Sequence, residues 1–184
     1  MFKRAARGAV ARDIISAEGV AELTDDALMH LLAERDGSEL ANAIATRRLY
    51  KRSLDLSASE VTATPEGWIA DDPDLSERVE DALAEELGLA AGELLLDFPA
   101  REDMLAVDLP LRTRDGSVER LTGEGRAGHL GLPRISGELY RSARRLRVFT
   151  ARAPLGSLAG VPALLEMTGP EVVARLETGQ RFLA

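Results

Sequence analysis

The spacing of the apolar residues changes partway along the chain, and this change restricts the possible folds more than any other feature. Near the N-terminus an apolar residue recurs at every fourth position, the spacing of an amphipathic helix, at Phe2, Ala6, Val10 and Ile14. After Gly88 the apolar residues come in short runs typical of strands, such as residues 94–98 before Pro99. The sequence therefore predicts an α+β fold, with a helical N-terminal part followed by a small antiparallel sheet with flanking helices.

Start and stop signals divide the helical part. Side chains that cap helix N-termini precede three predicted helices, at Thr24, Ser38 and Asp72. Glycines are expected to end the first and the fourth helix, at Gly19 and Gly88. The third helix is expected to lead into the basic residues 47–52.

The strand region contains one strong hairpin signal. Asp115 and Gly116 stand between two short strand patterns, and this pair favours the tight turn of a β-hairpin. Residues 146–152 read as a further strand, preceded by a helical turn around residues 135–140. The last helix is predicted to begin at Pro170 and to be appended to the rest.

These elements suggest four parts. We expect a helical segment at 1–52, a linker at 53–72, an α+β accessory domain at 73–152 and a C-terminal extension at 153–184. Trp68 lies within the predicted linker and is expected to pack against another part of the chain.

Charge is distributed unevenly. The net charge is −8, yet residues 53–111 hold 16 acidic and two basic residues, whereas residues 112–152 hold four acidic and ten basic ones. An excess of acidic residues with only two lysines is typical of proteins kept solvated in concentrated salt. We therefore expect added KCl to raise the melting temperature by screening the acidic segment.

Several classes of site are excluded or disfavoured. With no cysteine the chain cannot form disulfides, thiolate zinc sites or iron–sulfur clusters. His30 and His129 have no second histidine or carboxylate at metal-ligand spacing, so no metal ligand and no catalytic residue is predicted. The spacing Gly-x-Gly-x-x-Gly at 123–128 lacks the βαβ context of a dinucleotide site. No apolar run is long enough to cross a bilayer, and we expect a cytoplasmic protein.

Arginine is concentrated in two stretches that could bind phosphate. Residues 47–52 carry four positive charges, and residues 141–152 carry five arginines. One interpretation is a stand-alone binding module whose arginine face takes a nucleotide or, less plausibly for so acidic a chain, nucleic acid. The other is that these arginines neutralise the acidic segment internally. An enzyme with a carboxylate-only site is a third, weaker hypothesis.

The order of several motifs resembles the C-terminal half of the HD-domain metal-dependent phosphohydrolases, which include deoxynucleoside triphosphate triphosphohydrolases. The similar segments are residues 1–7, residues 23–28, an R-x-L-(Y/F)-K motif at 47–51, residues 94–99, the Asp115 and Gly116 hairpin, and residues 146–149. The resemblance covers about residues 1–57 and 92–151, and residues 153–184 match nothing in it.

The resemblance implies an accessory or regulatory region of an HD phosphohydrolase that acts on (deoxy)nucleotides. Enzymes of that family hold a divalent metal with an H…HD…D ligand set, and neither His30 nor His129 is followed by Asp. We therefore expect the chain to bind no metal, to be inactive alone and to work with an HD core in the same or a separate chain. The sequence would then be a fragment, a product with a misplaced start or a stand-alone remnant. The resemblance also implies a homo-oligomer.

The resemblance further implies a regulatory nucleotide site at Arg47 and Lys51. If the third helix continues through Lys51, the two side chains lie one turn apart on one face and could hold adjacent phosphates. The alternative is that both residues simply cap the negative C-terminal end of that helix.

Overall fold

A computed structural model describes residues 1–35, 37–57, 60–61, 67–99, 108–122, 138 and 144–183. The chain divides into two compact units, Met1–Lys51 and Arg52–Ala184. Several features of the sequence lie outside the described residues: the glycine motif at 123–128, His129, Arg141 and, apart from Glu138, the predicted turn at 135–140. No helix in the described part of the chain has the length and apolar character needed to cross a membrane.

The first unit consists of helices. They are α1 (Phe2–Ala11), α2 (Ala17–Glu22), α3 (Asp25–Glu34) and α4 (Glu39–Ala45). The predicted caps are confirmed, since the hydroxyls of Thr24 and Ser38 accept hydrogen bonds from backbone N–H groups three residues later. The buried core of this unit is small and rich in alanine, and it contains Ala5, Ala9, Leu28, Leu32 and Ala41.

The first helix is shorter than the sequence predicts. It ends at Ala11, and Asp13 adopts a left-handed conformation with φ of 56°. The N–H of Ile14 then bonds to the carbonyl of Ala9 at 3.0 Å, which closes the helix end. Gly19, the predicted stop, lies inside α2, where its N–H donates to the side chain of Ser16 at 3.0 Å. The prediction was wrong because aspartate occasionally adopts the left-handed conformation that glycine adopts routinely.

The second unit combines helices with two small sheets. Its helices are α5 (Trp68–Asp71), α6 (Pro73–Glu86), a 3₁₀ helix (Val161–Glu166) and α7 (Gly169–Thr178). Its strands are β1 (Lys51–Ser57), β2 (Leu94–Asp97), β3 (Asp108–Arg112), β4 (Val118–Thr122) and β5 (Arg145–Thr150). The three-stranded sheet has the order β1-β5-β2, and β3 pairs with β4 as the predicted hairpin. The observed architecture is α+β, as predicted.

The central strand β5 has two different faces. Leu146 and Val148 are fully buried, whereas Arg145 and Arg147 alternate with them and point to the opposite face. On the buried side α6 contributes Leu75, Val79 and Leu83 to the core. The indole N–H of Trp68 donates to the carbonyl of Leu164 at 3.3 Å, which confirms that this tryptophan is packed.

The segment predicted as a linker contains regular structure, and the predicted extension contributes to the core. Strand β1 and helix α5 both lie within residues 51–71. The last helix, α7, buries Val172 in the same core as Trp68 and Leu146. Leu164, which precedes this helix in the chain, and Phe182, which follows it, belong to that core as well. Residues 161–182 are therefore an integral part of the second unit.

Candidate functional site

The chain leaves α4 through a turn at Thr46 and Arg47 and enters β1 at Lys51, and we call residues 47–51 the cationic turn. The N–H of Arg47 bonds to the carbonyl of Ile44 at 3.0 Å, and the N–H of Arg48 bonds to that of Ala43 at 2.7 Å. This is the hydrogen-bond pattern of a Schellman motif, in which the residue after the cap is left-handed and usually glycine. Here that residue is Arg47, with φ of 56°.

The helical spacing expected for Arg47 and Lys51 does not occur. Helix α4 ends at Ala45, and Lys51 is already the first residue of β1. Four residues of extended chain span up to about 13 Å, compared with about 6 Å along a helix. The two backbone positions therefore do not lie one helical turn apart, and only the long side chains could converge on one polyphosphate.

Arg47 and Lys51 nevertheless have accessible side chains. Both residues are exposed, and within the described part of the chain neither side chain makes a hydrogen bond or an ion pair. The turn also contacts the start of the chain, since the N–H of Tyr50 donates to Sδ of Met1 at 3.4 Å. The two predicted residues are thus exposed cations at the two ends of the cationic turn.

The second arginine stretch is organised differently. Its four described arginines all contact residues of the acidic segment 53–111. Arg144 places its guanidinium carbon 3.5 Å from the ring centroid of Phe98, and Arg152 Nε lies 3.1 Å from Glu93 Oε2. Arg147 Nη1 lies 3.1 Å from Asp97 Oδ2. These contacts support the interpretation that these arginines neutralise the acidic segment internally.

Asp55 is the centre of the pairing around β1 and β5. Its carboxylate forms an ion pair with Arg145, lies 2.5 Å from Nη1 of Arg52 and lies 3.9 Å from Nε of Arg147. The hydrogen bond from Arg145 lowers the pKa of Asp55 below its ordinary value, and the charges of the three arginines act in the same direction. Asp55 therefore stays ionised, and its carboxylate pairs with the guanidinium groups of Arg52, Arg145 and Arg147.

Sequence reasoning did not identify Asp55 and Asp97 as partners of these arginines. Asp55 and Arg145 are separated by 90 positions, so no local pattern connects them. The available signal was the charge imbalance between residues 53–111 and 112–152, which indicates attraction without naming the pairs.

The histidines do not contribute to a site in the described structure. His30 is exposed on α3, and His129 lies outside the described residues. Among the residues that the structure describes, no group of three histidine or carboxylate side chains could hold a metal ion.

Comparison with known proteins links the chain to a protein family. A family model described as "HD associated region" matches residues 1–123. Searches of curated proteins and of solved structures find no match. The matched stretch contains the whole first unit and the second unit through β4, whereas β5, the 3₁₀ helix and α7 follow it.

Proposed function

The chain belongs to the family of HD-associated regions, and from that premise we propose that it is the accessory and regulatory region of an HD-domain (deoxy)nucleotide phosphohydrolase. The catalytic HD core would be supplied by the same polypeptide outside these residues or by a separate chain. The family match over residues 1–123 is the observation that carries this proposal, because it links two thirds of the chain to HD-domain proteins.

We propose that the chain is catalytically incomplete by itself. Water activation in HD enzymes depends on a metal held by histidines and aspartates, including an adjacent His-Asp pair. In this sequence His30 and His129 are both followed by leucine, so these residues do not fit that ligand set. A divalent metal would accordingly be bound by the HD core and not by this chain.

The coding DNA upstream of the Met1 codon offers a direct test of the link to an HD core. An HD motif in the same reading frame would place core and accessory region in one polypeptide. If none is present, immobilised chain should retain an HD-motif protein from an extract of the source cells. Failure of both tests would contradict the proposed function.

For the regulatory role we propose that the cationic turn binds the phosphates of a nucleotide effector. Its support is that Arg47 occupies a left-handed position, which costs stability for residues other than glycine, asparagine and aspartate. Strain of this kind, combined with an exposed side chain that has no partner among the described residues, is typical of positions kept for binding. Arg47 and Lys51 would contact the phosphates, and the contacts would be electrostatic.

Calorimetric titration with GTP and dATP tests this role. The double variant Arg47→Ala/Lys51→Ala should abolish the binding seen with the parent chain. The matched control is Arg78→Ala/Arg114→Ala, which removes the same charge from exposed positions in the second unit and should bind as the parent does. Equal affinity of all three proteins would contradict a site at the cationic turn.

The stand-alone binding module remains the alternative. It would use an arginine face, but Arg145, Arg147 and Arg152 are already paired with carboxylates. A loss of nucleotide affinity on substitution of these three arginines, and not of Arg47 and Lys51, would favour this alternative.

A further inference from the structure

The segment 181–183 contacts the second unit through the carboxylate of Glu86 and through the apolar side chains of Phe182 and Leu183. Oε1 of Glu86 accepts a hydrogen bond from the N–H of Phe182 at 2.6 Å, and Oε2 accepts one from the N–H of Leu183 at 2.9 Å. Nε of Arg181 lies 3.7 Å from the same carboxylate, although the Arg181 side chain is 65% exposed. One side chain thus provides the polar contacts of three successive residues.

The position of Glu86 indicates what this carboxylate does. Glu86 is the last residue of α6, and a negative charge at that end of a helix is disfavoured by the helix dipole. Two N–H donors on one carboxylate compensate for this, because hydrogen bonds to an ionised acceptor are stronger than neutral ones. The Glu86 side chain is also only 10% exposed, so the contact is partly shielded from water.

An aromatic anchor completes the attachment. Phe182 is 6% exposed and belongs to the core of the second unit, with the Arg175 guanidinium 5.8 Å from its ring centroid. A methyl group added to Gly160 would lie 3.3 Å from a side-chain carbon of Leu183, so the segment passes close to this glycine.

The segment follows the C-terminal cap of α7. Gly179 ends α7 in a left-handed conformation with φ of 65°, and Gln180 and Arg181 after it are exposed. Residues 181–183 belong to no helix or strand, so they could detach without breaking a helical or sheet hydrogen bond. A cavity of about 430 Å³ adjoins this place, lined by Ala82, Glu85, Glu86, Leu176 and residues 179–182.

We propose that residues 181–183 form a latch that opens and closes on the folded second unit, with Glu86 as the residue that holds it closed. Opening removes Phe182 from its buried position, and the space that the ring leaves joins the adjoining cavity. The latch opens by local unfolding, since its attachment consists of the Glu86 hydrogen bonds and the packing of Phe182 and Leu183 and includes no hydrogen bond of a helix or strand.

Hydrogen exchange of the full chain tests the proposal without any substitution. The amides of Phe182 and Leu183 should exchange at least about tenfold faster than those of the core residues Val79 and Leu83 in α6. Their exchange should also be insensitive to low urea concentrations, because local opening exposes little surface. Exchange of all four amides at one common rate would overturn the latch, since the segment would then open only on global unfolding.

Limited digestion with trypsin tests the role of Glu86. Cleavage after Arg181 requires the latch to open, and the loss of residues 182–184 is followed by mass spectrometry. The variant Glu86→Gln keeps the shape of the side chain but loses the charge, and it should increase this cleavage rate about tenfold. The control Glu85→Gln makes the same charge change at the exposed neighbouring position and should leave the rate unchanged. Equal rates for both variants would overturn the role of Glu86.

Discussion

Arg147 lies directly opposite Asp97 across the pair of strands β5 and β2, and its Nη1 approaches Asp97 Oδ2 to 3.1 Å. This contact joins the arginine-rich segment 112–152 to the acidic segment 53–111. The two oppositely charged stretches of the sequence therefore attract each other within one unit. Because these charges are paired, the repulsion that added KCl can screen is smaller than the sequence alone suggests. The expected rise in melting temperature with KCl stays a prediction.

The ion pairs of Asp55 should make stability depend on pH in the acidic range. The pKa of Asp55 is lowered from its ordinary value of 3.8, mainly by the hydrogen bond from Arg145. A carboxylate with a lowered pKa stabilises the fold above its ordinary pKa, and this contribution is lost as the pH falls through the folded-state value. Asp55→Asn should therefore be less stable than the parent at pH 7, and the difference should shrink below pH 3.8.

Urea denaturation of both proteins over this pH range provides the measurement. Glu85→Gln serves as a control, since it makes the same charge change at an exposed position and should show no comparable difference from the parent. A constant difference between Asp55→Asn and the parent at all pH values would contradict the assignment.

The hairpin turn should contain an unusually acidic carboxyl group. The hydroxyl of Thr113 and both the N–H and the hydroxyl of Ser117 donate to Asp115, which lowers the pKa of Asp115 from 3.8 to about 2. Carboxyl-detected NMR titration should find this value, and Thr113→Ala should raise it towards 3.8. An Asp115 that titrates normally in the parent chain would show that the turn is not formed in solution.

Local signals in the sequence predicted the structure well. The caps at Thr24, Ser38 and Asp72 and the hairpin at Asp115 and Gly116 depend on residues within three or four positions of each other. A side-chain oxygen or a glycine acts directly on the neighbouring backbone, so the same residue types give the same local geometry.

Features that depend on distant partners could not be predicted in this way. Residues 53–57 resemble a linker because they are rich in serine and aspartate, yet they form β1 by pairing with β5 about ninety positions later. The end of α4 was missed because its left-handed residue is Arg47 and not glycine. At the candidate site the predicted helical spacing of Arg47 and Lys51 was therefore wrong, and their role in binding stays a prediction.

The left-handed conformation of Arg47 should measurably lower the free energy of unfolding. Arg47→Gly should increase the free energy of unfolding by about 1 kcal/mol, because glycine adopts this conformation without steric strain. Asp13→Gly is the matched control at the end of α1, where φ is also 56°. This variant should gain less stability than Arg47→Gly does, because aspartate tolerates the conformation better than arginine. Chemical denaturation measures both values, and a loss of stability in Arg47→Gly would contradict the strain.

The residues after the family match should be essential to the second unit. Leu165 is fully buried in the 3₁₀ helix, and Leu165→Ala should lower the free energy of unfolding by about 3 kcal/mol. Leu155 is 83% exposed, and Leu155→Ala should change the free energy of unfolding by less than about 0.5 kcal/mol. Similar small losses for both variants, measured by urea denaturation, would show that residues 161–182 are an independent appendage.

The most direct test of the accessory role compares rates of nucleoside triphosphate hydrolysis with Mn²⁺ or Mg²⁺. The samples are the full chain alone, the HD-motif protein found upstream or retained by the chain, and the two together. The chain alone should show no metal-dependent hydrolysis, and its presence should change the rate of the HD protein or the dependence of that rate on GTP and dATP. Identical rates of the HD protein with and without the chain, or hydrolysis by the chain alone that survives His30→Ala/His129→Ala, would contradict the account.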